Sequence, residues 1–123
     1  MSKIEQLKEL LALLGETENK EANKTNPIAE SLIGKRMLVR TYSAGVHIGT
    51  IISVNPENIC EVVLKDALRL WKWEGGGLSL SVVASEGIKG GRLNKTSEVT
   101  LTNAIEFIPT TEIAEKSYEK FTE

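Results

Sequence analysis

From Lys35 to Pro109, apolar and polar residues follow one another with a period close to two, the spacing that sends alternate side chains to opposite faces of a strand. "RMLVRTY" predicts a first strand. "VHIGTIISV" predicts a second, with Val46, Ile48, Thr50, Ile52 and Val54 on one face and His47, Gly49, Ile51 and Ser53 on the other. "SAG" between them is a tight-turn signal in which Gly45 is free to take a positive φ, so the pair reads as a β-hairpin. "NPEN" makes the next turn, "ICEVVLKDA" a third strand and "LRLWKW" a fourth. "LSLSVVASEG" suits either a strand or a short helix over 78–86, and its small residues and closing Gly87 favour the helix. "KGGRLNKTS" reads as a loop, and "EVTLTNAIEFIP" as a strand kinked near Asn103. After Pro109, Thr and Glu open a helix whose stripe is Ile113, Ser117 and Phe121, with Ala114 and Tyr118 beside it.

The period changes at the N-terminus. In "MSKIEQLKELLALLGE", Ile4, Leu7, Leu11 and Leu14 recur at helical spacing with Leu10 alongside, Ser2 and Glu5 form a capping box, and Gly15 stands at the C-terminal end. Residues 1–15 therefore predict an amphipathic helix, too short to persist without an apolar partner. That partner is either the domain's own sheet or the same helix in another subunit. The seam carries more apolar surface than one edge of a small sheet needs, so a homo-oligomer with pockets near its interfaces is expected. Residues 16–27, "ETENKEANKTNP", are polar apart from Ala22 and read as a linker, which leaves 28–123 as one domain. The expected architecture is α+β: an antiparallel sheet of five or six strands with helices at its ends and one face wet.

Composition narrows the function classes. The 123 residues are enough for one core and too few for two. A net charge of −2 argues against a duplex nucleic acid partner, which calls for a basic footprint. The one cysteine, Cys60, excludes an internal disulfide or a multi-cysteine metal site and reads as packing, in keeping with a cytoplasmic location. LLALL is too short for a membrane span or a signal peptide. No cofactor is implied. His47 is the only histidine, so neither a His-pair metal site nor a relay is available, and nucleophile elbows, P-loops and dinucleotide fingerprints are absent. No enzyme is expected.

The remaining candidates suit an aromatic, polyanionic small ligand. Arg40 and Tyr42 fall on one face of the first strand, and Arg69, Trp71 and Trp73 on one face of the fourth. Guanidinium groups match phosphate geometry and indoles stack bases. Arg92 and Asn94, with Thr96, lie on the 87–97 loop, which could close over a ligand, and His47 offers a further hydrogen bond. Each tryptophan is equally well explained as core. An aromatic strand that docks a protein partner, as in a phage accessory protein, is the alternative function.

The stretches "RTYSAGVHIGTI", "LKDALRLWKWEG" and "LTNAIEFIPTTEIAEKS", in that order and at this spacing, resemble a small bacteriophage and prophage family known as a domain of unknown function, over residues 35–119. That family resembles in turn the Thoeris anti-defence sponges. The resemblance implies a non-catalytic homo-oligomer in the host cytoplasm that sequesters a nucleotide second messenger, a cyclic ADP-ribose isomer or a cyclic oligonucleotide, and so blunts host immunity.

Overall fold

The computed structural model describes residues 26–74 and 79–123; the expected N-terminal helix and most of the linker lie outside the described residues. Helix α1 (Pro27–Leu32) begins inside the stretch read as linker. The Asn26 side chain accepts hydrogen bonds from the Ile28 and Ala29 amides, and Pro27 fills the first turn, where a missing N–H costs nothing. Ala29 and Leu32 are its buried residues.

Strands β1 (Arg36–Thr41) and β2 (Val46–Val54) form the expected hairpin, and Gly45 turns it at φ 85°. The Thr41 hydroxyl donates to the Gly45 carbonyl and accepts from the Ala44 amide, which closes the turn from inside. Where two strands were expected between residues 59 and 74, there is one, β3 (Val62–Glu74). The apparent break is a bulge: Asp66 sits at φ 49° and the pairing with β4 slips between Lys65 and Ala67. An extra residue inverts the side-chain phase, so Val62, Leu64 and Ala67 point into one core while Leu68 and Leu70 point into another.

Helix α2 (Leu80–Glu86) resolves the ambiguous stretch as helical, with Gly87 closing it at φ 88°. The expected 87–97 loop is instead most of strand β4 (Gly90–Leu101), paired with β3 along nearly its whole length. The expected kink at Asn103 is a break between β4 and β5 (Ala104–Pro109), which pairs with β1. Helix α3 (Glu112–Glu119) follows, capped by the Thr111 hydroxyl on the Ala114 amide. Its inward residues are Ala114 and Tyr118; Ile113, expected on the stripe, is exposed.

The sheet order β4-β3-β2-β1-β5 places β4 and β5 at opposite edges, yet only Thr102 and Asn103 join them. Five strands laid flat span about 19 Å between edges, whereas three Cα steps reach at most about 11 Å. The sheet must therefore roll up. Met37, Val39, Ile51, Leu64, Leu101 and Ala104, drawn from all five strands, meet in the interior of the roll. On its outer surface Leu38, Ile48, Leu68, Leu70 and Leu93 pack against Val83, Ala84 and Ile88 around α2 and against Ala114 and Tyr118 of α3. The strands of the middle of the sheet are covered on both sides, so the expected wet face is absent there.

Candidate functional site

Register, rather than strand phase alone, assembles the site. His47 on β2 pairs with Arg69 on β3, which pairs with Asn94 on β4. Directly paired residues project from the same face, so these three form one row across the sheet, continued on β1 by Val39. The Trp71 indole Nε1 donates to Asn94 Oδ1, and the Arg69 guanidinium lies 5.3 Å from the centre of the indole ring, within cation–π range. Trp71 is nonetheless 56% exposed. The result is an indole fixed by polar contacts on one side and open to solvent on the other.

The two tryptophans do not share a face. The pairing slips between Leu70 and Lys72, and Trp73 packs with Leu68 and Leu70 against the helix-side core. Trp73 is therefore a packing residue and leaves the candidate set.

His47, expected to be half exposed, is fully buried, because its row points into the rolled sheet beside Val39. Its Nε2 meets the Ala44 carbonyl at 2.8 Å. A carbonyl only accepts, so Nε2 carries the hydrogen and Nδ1 is left as an acceptor. His47 Nδ1, Arg69 Nε and Thr96 Oγ1 are buried with no hydrogen-bond partner among the described residues.

Burial holds the His47 imidazole below its ordinary 6.5, the Ala44 hydrogen bond opposes this, and the Arg69 charge lowers it further. Below pH 6.5 the unfolded chain binds a proton that the folded chain refuses. This contribution to stability is therefore complete above pH 6.5 and is lost as pH falls through the folded-state value. The single histidine makes the check direct: the imidazole ring-proton resonance of the folded protein should titrate with a midpoint below 6.5. A midpoint at or above 6.5 would contradict the buried, Arg69-facing position.

The other expected ligand residues stay apart from this row. Arg40 follows Val39 on β1 and so projects from the opposite face, beside Glu106 in register. Tyr42 is 82% exposed in the hairpin turn. Arg92 is on β4, not on a closing loop, and its guanidinium is paired with Glu123 at 3.2 Å.

The sequence reading missed a cavity of about 600 Å³ between β3, β4 and α3. Arg36 spans it, donating from Nε to Glu115 at 2.5 Å and from a terminal nitrogen to the Asp66 carbonyl at 2.6 Å. With Arg36 paired to Glu115 and Glu123 paired to Arg92, Asp66 and Glu119 outweigh Lys95 on the lining. Such a wall disfavours a polyanion. The cavity exists because the bulges at Asp66 and Ser97, both at positive φ, lie near each other on paired strands, and nothing in the residue pattern announces that. Among the described residues no three His, Cys, Asp or Glu side chains are grouped to hold a metal ion, and no helix is long and apolar enough to cross a membrane.

The fold is similar to that of a heptameric archaeal Sm protein known from its crystal structure, at 16% identity, over 69% of this chain and 98% of that chain, with a TM-score of 0.47. It is similar also to the SmAP1 heptamer of P. aerophilum, at 16% identity over 69% of this chain and 90% of that chain, with a TM-score of 0.47. No curated protein matches the chain. The stretch from residue 34 to residue 118 matches the family described as "Domain of unknown function (DUF6948)", and the chain belongs to that family.

Proposed function

We propose that this protein is a non-catalytic nucleotide-binding protein whose base-stacking surface is the open face of Trp71. One observation carries the reading: Trp71 belongs to neither apolar cluster and is more than half exposed, yet it is held in place by Asn94 and Arg69. An indole already fixed loses little freedom on binding, and stacking a base on it contributes about 1–3 kcal/mol. Arg69 and the exposed Lys72 supply positive charge beside the ring for a phosphate. Among the described residues the polar contacts of the indole are Asn94 and Arg69, which do not make an acid–base pair, and this suits retention of a ligand rather than its conversion.

The finer part of the proposal is the ligand. A cyclic ADP-ribose isomer or a cyclic oligonucleotide, captured from host immune signalling in the cytoplasm of an infected bacterium, is the reading supported by the three sequence stretches that resemble the phage family. Calorimetric titration against cyclic ADP-ribose isomers, cyclic di- and trinucleotides and simple mononucleotides tests both parts. At least one should bind more tightly than about 10 µM, or about −7 kcal/mol, and be recovered unchanged. Binding by none would sink the proposal, and recovery of a hydrolysed product would end its non-catalytic half.

Trp71→Ala should weaken that binding by about 5- to 150-fold, the range that corresponds to one stacked base. Because the side chain is more than half exposed and truncation removes only the Asn94 hydrogen bond and the Arg69 contact, the variant's unfolding free energy should fall by no more than about 2 kcal/mol. A loss of stability of about 3–5 kcal/mol, the range for an aromatic removed from a core, would return Trp71 to the core.

A further inference from the structure

Beside β5 the surface carries an apolar groove of about 400 Å³. Ile28 and Leu32 of α1 line one side, Ile59 and Cys60 lie between, and Ile105 and Phe107 of β5 line the other side, where Glu106 is the one charged residue of the lining. Ile28 is 59% exposed and Ile105 is 51% exposed. Large aliphatic side chains facing each other across an open groove mark a surface that something covers.

We propose that residues 4–14 of this same chain occupy the groove as an amphipathic helix. The chain outside the described residues enters the domain at Asn26, and α1, the first element after it, lines one side of the groove. The occupant is thus tethered at the rim. Its seam of Ile4, Leu7, Leu10, Leu11 and Leu14 matches the groove's chemistry, and as a helix those residues extend about 16 Å. The polar residues between Gly15 and Asn26 have a typical end-to-end reach of about 18 Å, enough to let the helix fold back beside its own attachment point. A tether of this length gives an effective concentration in the millimolar range. At micromolar protein the chain's own helix therefore outcompetes that of another copy.

Cys60 reports on the groove without further labelling, since it belongs to the lining and is the only cysteine in the chain. In the full-length protein its reaction with an aromatic disulfide reagent should be slow. The double variant Leu7→Asp/Leu11→Asp, which changes nothing in the described domain, should speed that reaction about tenfold or more, the loss of one intramolecular docking equilibrium. Trypsin should also cut after Lys8 faster in that variant. If the double variant loses its cooperative melt, Ile105→Asn on the exposed β5 side of the groove provides the same reading. Equal thiol reactivity in parent and variant would overturn the proposal. So would protection that fades on dilution in step with a falling mass by light scattering, which would assign the groove to the helix of a second copy.

Discussion

Replacing Tyr118 by alanine should destabilise the protein by about 3–5 kcal/mol, the range for removing a large aromatic side chain from a core that cannot close over the gap. Among the described residues Tyr118 is the largest of the fully buried side chains, and it packs in the cluster formed by Leu38, Ile48, Leu70, Val83, Ala84 and Leu93. It is the piece of α3 that reaches both the outer face of the rolled sheet and α2. Its hydroxyl donates to the Val83 carbonyl at 2.6 Å, and burial, with the Glu115 charge second, holds that hydroxyl protonated far beyond the ordinary range of a phenol. Tyr118→Phe separates the two contributions. The ring stays, only the hydrogen bond goes, and the Val83 carbonyl keeps the Gly87 amide at 3.0 Å, so a loss of about 1 kcal/mol is expected. Urea unfolding with the slope unchanged measures both variants. An alanine variant within 1 kcal/mol of the parent would mean that α3 is not part of the cooperative unit.

What the residue pattern reveals and what it hides divide along physical lines. Strand β2 is legible in its bounds, because turn chemistry stands at both its borders, Gly45 before it and Asn55–Pro56 after it. It is not legible in its faces: the register slips after Ile48 and after Ile51, so Ile51 and Val54 share the interior of the roll, Ile48 faces the helices and Ile52 is exposed. Helix α3 is legible at its start, where the Thr111 hydroxyl caps it. Strand β3 is not legible as one element, since an αL residue at Asp66 flips the phase halfway and a reader counting by twos meets two strands. Strand β4 hides for another reason. It is an edge strand rich in Gly, Asn, Thr and Ser, and its place is decided by hydrogen bonds to β3 rather than by an apolar face. The site follows the same division. His47, Arg69, Trp71 and Asn94 can be chosen by residue type, but their convergence depends on cross-strand register, which a single chain does not display. The burial of His47 depends on the roll of the sheet, and the roll depends on a two-residue connection between opposite edges.

Gly87→Ala should cost at least about 2 kcal/mol, because two separate penalties, each of about 1–3 kcal/mol, meet at one residue. The backbone there has φ 88°, a conformation whose cost for an L-residue is about 1–3 kcal/mol. An added methyl would also lie 2.1 Å from Ser117 Oγ, 2.8 Å from Ser117 Cβ and 3.1 Å from the Ala114 Cα. Forcing it in costs a further 1–3 kcal/mol, roughly the overpacking range. Neither neighbour yields freely. Ser117 Oγ donates to the Ala114 carbonyl at 2.6 Å and accepts from the Ile88 amide at 3.0 Å, so moving it breaks the bridge between α3 and the exit from α2. Thermal melting should show a drop of about 8 °C or more, at about 4–8 °C per kcal/mol for a domain of this size. The double variant Gly87→Ala/Ser117→Gly separates the penalties. With the Ser117 side chain gone, the two shortest contacts disappear while the tight approach to the Ala114 Cα and the backbone strain remain, so the double variant should be more stable than the sum of the two single losses by about 1 kcal/mol or more. Strict additivity would mean that the helices part to admit the methyl, and that the closeness of α2 and α3 at Gly87 contributes little to holding α3 on the sheet.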